Sequence, residues 1–314
     1  MIATQAAMRE AFGHKLVALA ERWPELLVVD GDVANSTKTD VFAAAWPERF
    51  VQCGIGEQNM IGVAAGLATV GFQPWVSTFT AFLAKRDLDQ VRMLVAQNKL
   101  DVKLCGAYSG ISTGKVGRTH ISVQDLAIFR AMPNVVSIAP ADAAECEQAM
   151  DWMAGSHGPV YLRLTRDPTP VIFGGGPAFE VGRGVVLREG SDVALIGTGT
   201  QTPRLIEAAD VLRQRGVSAY VLHLATLKPI DVEAILRAAQ TTGLVVTSED
   251  HSIIGGLGSA VAEVLAEHIP AGLKRIGLQD VYAESGPNDA LIQKYGLSSE
   301  HIVAAAEQLL HGHH

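Results

Sequence analysis

Cysteine is scarce in this sequence: Cys53, Cys105 and Cys146 are the only three in 314 residues. They are odd in number, widely spaced and without a CxxC pair. That excludes a disulfide framework and a thiolate zinc site and points to a reducing cytoplasm. Positive charge is short as well. Lys plus Arg number 25 against 33 Asp plus Glu, a formal net charge of −8, so nucleic acid is not expected as a general partner. A local basic pocket for an anionic substrate stays open. The longest near-apolar run, residues 60–72, falls short of the ~18–20 residues that span a bilayer, and no membrane association is expected. The N-terminal stretch carries Arg9, Glu10 and His14 and has no apolar core, so it does not read as a signal peptide. Gly197-Thr198-Gly199 follows an apolar run without completing GxGxxG, which leaves dinucleotide binding poorly supported. The closing His311-Gly312-His313-His314 fits a natural end or the start of a purification tag and is given no weight.

With 48% hydrophobic and 18% charged residues the chain can bury a sizeable core, and at roughly 100–200 residues per domain its length suggests two domains. Helical periodicity over 6–21, 41–46, 57–69, 83–97, 123–131 and 143–153 alternates with short apolar, β-branched runs over 26–29, 50–53, 74–79, 102–107, 135–138 and 160–164. Such alternation predicts a doubly wound, mostly parallel sheet whose strands are apolar throughout because helices cover both faces. Turn formers then crowd together in Asp167-Pro168-Thr169-Pro170 and Gly174-Gly175-Gly176-Pro177. We place a first domain at 1–170, a linker at 171–190 and a smaller second domain at 191–314. In the second, strands over 193–196, 217–222, 244–247 and 273–276 alternate with helices over 203–214, 231–239, 258–267 and 298–310. The predicted fold class is α/β, with two doubly wound, mostly parallel-sheet domains.

Several clusters could carry chemistry. In Gly54-Ile55-Gly56-Glu57-Gln58-Asn59-Met60 a strand ends, glycines turn the chain, and a carboxylate opens a helix that is small and apolar on all sides. A helix of that kind is buried in a core or a subunit interface. Glu57 would then share a desolvated setting suited to acid–base work, or simply complement the helix dipole; both readings stand. Phe79 and Phe82 at the next strand end could wall a flat ligand or belong to the core. The glycine-rich loop from Gly106 to His120 lets the backbone approach a ligand closely, and His120 could donate to a substrate oxygen or sit solvated. Arg166, after the last strand of the first domain, could fork onto a phosphate or carboxylate, or form a surface pair. Asp30-Gly31-Asp32 lacks the spaced ligands of a calcium loop, and Ser248-Glu249-Asp250-His251 with the glycines after it reads as a helix-entry turn.

In this order the clusters resemble the thiamine-diphosphate enzymes of the transketolase family. The resemblance runs through Gly54 to Met60, Ser77-Thr78-Phe79 to Gln90-Val91-Arg92, and Gly117, Thr119 and His120. It continues through Ala131-Met132-Pro133-Asn134, Pro140-Ala141-Asp142 and Pro159 to Leu164. It spans nearly the whole chain but only the C-terminal half of a full-length transketolase, the pyrimidine-binding and C-terminal domains. It implies that Glu57 binds N1′ of the cofactor's aminopyrimidine and shares a proton there, and that Phe82 stacks on the ring with Phe79 and Ile55 beside it. It also implies that His120 contacts the donor sugar near its carbonyl and that Arg166 binds an acceptor phosphate. The family's other half binds the diphosphate and Mg²⁺ through a GDG motif followed roughly thirty residues later by Asn, and no such pair occurs here. The resemblance therefore implies a shared thiamine diphosphate, Mg²⁺ held by an N-terminal-type partner subunit, and an α2β2 assembly with active sites between subunits.

Three positions depart from the pattern of the sugar-phosphate enzymes. Tyr108 stands where a phosphate-contacting histidine is usual, Val116 where an aspartate reads a substrate hydroxyl, and Arg118 where proline or alanine is usual. Losing a hydroxyl-binding carboxylate predicts an altered sugar or sugar-phosphate substrate. The expected activity is transfer of a two-carbon ketol unit from a ketose donor to an aldose acceptor, with Tyr108 and Arg118 at the substrate. Two alternatives are the β subunit of a 2-oxoacid dehydrogenase's thiamine component and, in another class, a non-catalytic partner or regulatory subunit.

Overall fold

A computed structural model describes residues 4–312, so His313 and His314 of the closing histidine run lie outside the described residues. The strands Leu26–Asp30, Gln73–Phe79, Lys103–Ala107 and Val160–Arg163 are buried along their whole length, as helices on both faces of a sheet require. They belong to a seven-stranded sheet in the order Thr226–Lys228, Val136–Ile138, Val160–Arg163, Lys103–Ala107, Gln73–Phe79, Leu26–Asp30, Phe50–Gln52. Its pairings are parallel except at Thr226–Lys228, which runs antiparallel to Val136–Ile138. A second, five-stranded sheet has the order Gly272–Leu278, Leu244–Ser252, Val193–Gly197, Ala219–His223, Val185–Arg188. It too is parallel apart from its last strand. The chain is thus an α/β protein with two mostly parallel sheets, as the alternation predicts. No helix of the described residues is long and apolar enough to cross a membrane.

The structure differs from the sequence reading in specific places. The expected 83–97 helix is broken into Thr80–Leu83, Leu88–Gln90 and a π-helical stretch, Val91–Ala96. Between the first two pieces the chain turns so that Arg86 meets a buried carboxylate, a tertiary demand that overrides helix propensity. The segment 171–190 is not all connection, because Val185–Arg188 is the half-buried edge strand of the second sheet. Thr226–Lys228 follows the second-domain strand Ala219–His223 yet completes the first sheet, so the two units interlock. Gln5–Ala6 pairs with Thr169–Pro170, and Asn288–Lys294 forms a helix where the sequence reading places no element.

A buried ionic knot joins the two sheets. Asp125 is fully buried at the first residue of the helix Asp125–Ala131. Its Oδ2 accepts from Arg163 Nε and from the Tyr161 hydroxyl, each at 2.7 Å. Arg163 also donates to the carbonyl of Asp250 at 2.8 Å, and Asp250 Oδ1 accepts from the amide of Ile111 at 2.9 Å. Removing one partner of a buried pair strands the other charge without water. Arg163→Ala should therefore cost about 3–5 kcal/mol in urea unfolding at neutral pH. A loss below about 1 kcal/mol, the scale of an exposed pair, would contradict that role.

Candidate functional site

The helix Glu57–Thr69 starts directly after a tight turn. Gly54 adopts φ +64°, a left-handed conformation that glycine reaches without penalty. The turn delivers the Glu57 side chain to the helix N-terminus, where unpaired amides and the helix dipole favour an anion. Glu57 is only 1% exposed. Nη1 of Arg86 donates to both of its carboxylate oxygens, each at 2.7 Å. Arg86 is itself partly exposed, and its guanidinium carbon lies 4.2 Å from the centre of the Phe82 ring. Gln58 Nε2 fixes the Arg86 carbonyl at 3.0 Å.

An aromatic cluster forms beside this pair, at the carboxyl ends of the strands Gln73–Phe79 and Lys103–Ala107. The ring centres of Phe79 and Phe82 lie 5.8 Å apart, and each is 5.4 Å from His120 in an edge-on arrangement. Phe79 also sits 4.4 Å from Tyr108. Tyr108 has φ +60°, a left-handed backbone that costs a non-glycine residue about 1–2 kcal/mol. Such strain is commonly kept where it aims a side chain at a site. Val116 packs against Phe79, Ala107 and Tyr108, so an apolar group fills that corner. His120 Nδ1 is hydrogen-bonded with Thr119 Oγ1 at 2.7 Å. The loop bearing His120 is held by the second domain: the amide of Gly114 donates to Asn288 Oδ1 at 3.1 Å, and that of Gly286 to the Gly114 carbonyl at 3.0 Å.

Two guanidiniums flank the Tyr108 ring. Arg166 lies 5.3 Å from its centre, and Arg9 Nη1 donates to its hydroxyl at 3.1 Å. Both arginines keep a buried Nε–H without a hydrogen bond, although Arg166 Nε also lies 3.8 Å from Asp167 Oδ1, the ion pair its position allows; a phosphate, sulfonate or carboxylate could satisfy these donors. The structure thus brings together Glu57, Phe79, Phe82, Tyr108, His120 and Arg166. Arg118 is exposed, as is Ile55 at 77%. Arg9 and Arg86 were not singled out in the sequence. Arg9 contacts a residue 99 positions away and Arg86 one 29 positions away, and no local pattern announces either contact.

The other acidic motifs have structural work. Asp30 is buried; burial raises its pKa, while hydrogen bonds from the amide of Val33 and the side chains of Thr39 and Gln52 oppose the rise. Glu249 accepts from the amides of Leu257 and Gly258 and so opens the helix Leu257–His268. Among the described residues no three His, Cys, Asp or Glu side chains are gathered so as to hold a metal ion. The groups present fit a flat heteroaromatic ring: a dry carboxylate for a ring nitrogen, with aromatic edges beside it.

The family model of the transketolase pyrimidine-binding domain matches residues 4–171, and that of the transketolase C-terminal domain matches residues 182–302. Over 94% of its length the chain is 43% identical to a Methanocaldococcus jannaschii protein named for the C-terminal section of a transketolase, covering 93% of it. Over 96% of its length it is 39% identical to the 6-deoxy-6-sulfo-D-fructose transketolase subunit SqwH of Clostridium sp. MSTE9, covering 94% of that protein. A solved split-gene transketolase described as an inactive β4 tetramer matches with a TM-score of 0.91 and 46% identity, covering 97% of this chain and 98% of that one.

Proposed function

This chain belongs to the transketolase family, and from that premise we propose that it is the C-terminal subunit of a two-component, thiamine-diphosphate-dependent transketolase. It moves a two-carbon ketol unit from a ketose donor to an aldose acceptor. The observation that carries this reading is Glu57: a dry carboxylate at a helix N-terminus, beside a wall of Phe79, Phe82 and His120. When bound, thiamine diphosphate supplies the nucleophilic carbon and the electron sink for carbon–carbon cleavage. Glu57 holds a proton at the pyrimidine nitrogen N1′. Phe82 would lie against the pyrimidine ring, with Phe79 behind it. His120 offers an imidazole N–H to the donor's carbonyl oxygen. Replacing the Glu57 proton path should cost about 10²–10⁴-fold in turnover, the usual contribution of a positioned acid–base group. Glu57→Gln, assembled with its partner, should show that loss in a coupled ketol-transfer assay; unchanged turnover would remove Glu57 from the chemistry.

Arg9 and Arg166 form the anion end of the substrate site. Val116 offers no acceptor to a sugar hydroxyl, and Tyr108 replaces a charged or titratable contact with a phenol. Together they favour an anionic sugar whose hydroxyl pattern differs from the standard pentose phosphates; the sulfo-sugar in the name of the SqwH relative is one such departure. Steady-state comparison should give a kcat/KM for xylulose 5-phosphate and ribose 5-phosphate at least tenfold below that for the preferred pair. Arg9→Ala with Arg166→Ala should erase the preference for an anionic end, mostly through KM. Undiminished activity on the pentose phosphates would contradict the altered site.

The diphosphate and Mg²⁺ fall to an N-terminal-type partner, since no GDG motif with a following Asn is present in this sequence. The exposed face of the helix Glu57–Thr69 supports an assembly with sites between subunits. A Cβ added at Gly62 or Gly66 would meet nothing within 4 Å. Ile55 just before the helix and Val70 and Phe72 just after it are exposed, as are Met93 and Leu94, and exposed apolar side chains brought together in this way favour a contact. Gly66→Arg should leave the chain folded, with its circular dichroism spectrum intact, but lower its mass in analytical ultracentrifugation to that of a monomer. Full assembly would place the interface elsewhere.

A further inference from the structure

The ion pair between Arg86 and Glu57 differs in kind from the pair between Arg163 and Asp125. Arg163 is 3% exposed, and besides Asp125 it holds the carbonyl of Asp250. The Arg86 side chain is 45% exposed. Among the described residues the only hydrogen bonds from its guanidinium go to the two oxygens of Glu57, each at 2.7 Å. Its guanidinium carbon lies over the Phe82 ring, 4.2 Å from the centre. The function proposed above gives both of these groups to the aminopyrimidine: the Glu57 carboxyl to a ring nitrogen, and Phe82 to the ring itself. A guanidinium and an aminopyrimidine are alike in what those two groups read. Each is flat, carries nitrogen-bound hydrogen at its edge and presents a π face to an aromatic side chain. One place cannot hold both.

Glu57 explains why some partner must stand there. It is 1% exposed, and a carboxylate out of water without a partner is costly. Arg86 is also built to leave. Its amide donates to the Phe82 carbonyl at 2.8 Å, and its own carbonyl accepts from Gln58 Nε2 at 3.0 Å, so the backbone is held and only the side chain has to move. An open groove of about 460 Å³ adjoins it, lined by Gln58, Lys85, Asp89 and Arg92 among others. A long charged side chain that swings into such a groove keeps its head in water. We propose that Arg86 is the placeholder for the cofactor's aminopyrimidine: in the free chain its guanidinium sits between Glu57 and Phe82, and it vacates that place when the ring arrives. The inference rests on the reading that Glu57 meets that ring. It makes Arg86 a competitor of the cofactor rather than one of its ligands. Apparent affinity is then the intrinsic affinity reduced by the fraction of chains in which Arg86 has swung out.

Arg86→Ala empties the place, and thiamine, which carries the aminopyrimidine without the diphosphate, is the probe. In titration calorimetry on the full chain alone, R86A should bind thiamine about 10–100-fold more tightly than the parent, the factor expected when the open state is a minor one of roughly 1–10%. A merely structural arginine would, on removal, loosen the site and weaken binding. Methylguanidinium chloride refills the place, so it should compete with thiamine on R86A. Equal affinities, no binding to R86A, or binding indifferent to methylguanidinium overturns the placeholder. Arg86→Gln repeats the measurement should R86A fold poorly by circular dichroism. Glu57→Gln in the assembled enzyme separates the two claims. If E57Q turns over normally, the reading of Glu57 itself fails. If E57Q is inactive while R86A binds thiamine no better than the parent, only the placeholder fails.

Discussion

A carboxylate kept out of water needs a cation, and that need shapes the first domain around Glu57. Its side chain is 1% exposed at the start of a helix, and Arg86 meets both of its oxygens. The left-handed Gly54 turn brings the carboxylate in. The break after Leu83 brings the guanidinium to it. Helix propensity gives way at that break because an unpaired buried charge costs several kcal/mol, more than a few helical residues contribute. The same pair sets the distance from the carboxylate to Phe82, whose ring lies under the guanidinium.

The remaining groups reach this point from both sheets. Parallel strands end on one side of a doubly wound sheet, so loops after Gln73–Phe79, Lys103–Ala107 and Val160–Arg163 converge there. Phe79, Tyr108 and Arg166 come from those ends, and Arg9 comes from the helix Met8–Arg22. The loop that carries His120 is not free to wander, because its glycines bond to residues 286 and 288 of the second domain. The Asp125–Arg163 knot fixes the second domain in turn through Asp250. Site geometry therefore depends on the docking of the two domains as well as on the first sheet alone.

Much of this was legible in the sequence, and the reason is local. Strands covered on both faces are apolar throughout, so runs such as Leu104-Cys105 and Val160-Tyr161-Leu162 announce themselves, and a glycine turn before Glu57 marks the helix start. Glu57, Phe79, Phe82, His120, Tyr108 and Arg166 were recognisable from motif context, and the fold gathers them. What escaped was set by distant partners. Arg86 reads as one more helical residue until Glu57, 29 positions away, is placed beside it. Arg9 reads as a surface charge until Tyr108, 99 positions away, meets it. Thr226–Lys228 is three residues ended by Pro229, and its pairing partner lies in the other sheet.

The central claim is that Glu57 is the group that meets the cofactor ring. The most direct measurement is a structure of this chain assembled with its copurifying partner, Mg²⁺ and thiamine diphosphate. The account predicts a Glu57 carboxyl oxygen about 2.6–3.2 Å from the pyrimidine nitrogen N1′. A pyrimidine ring seated elsewhere, with Arg86 still gripping both oxygens of Glu57, would contradict it.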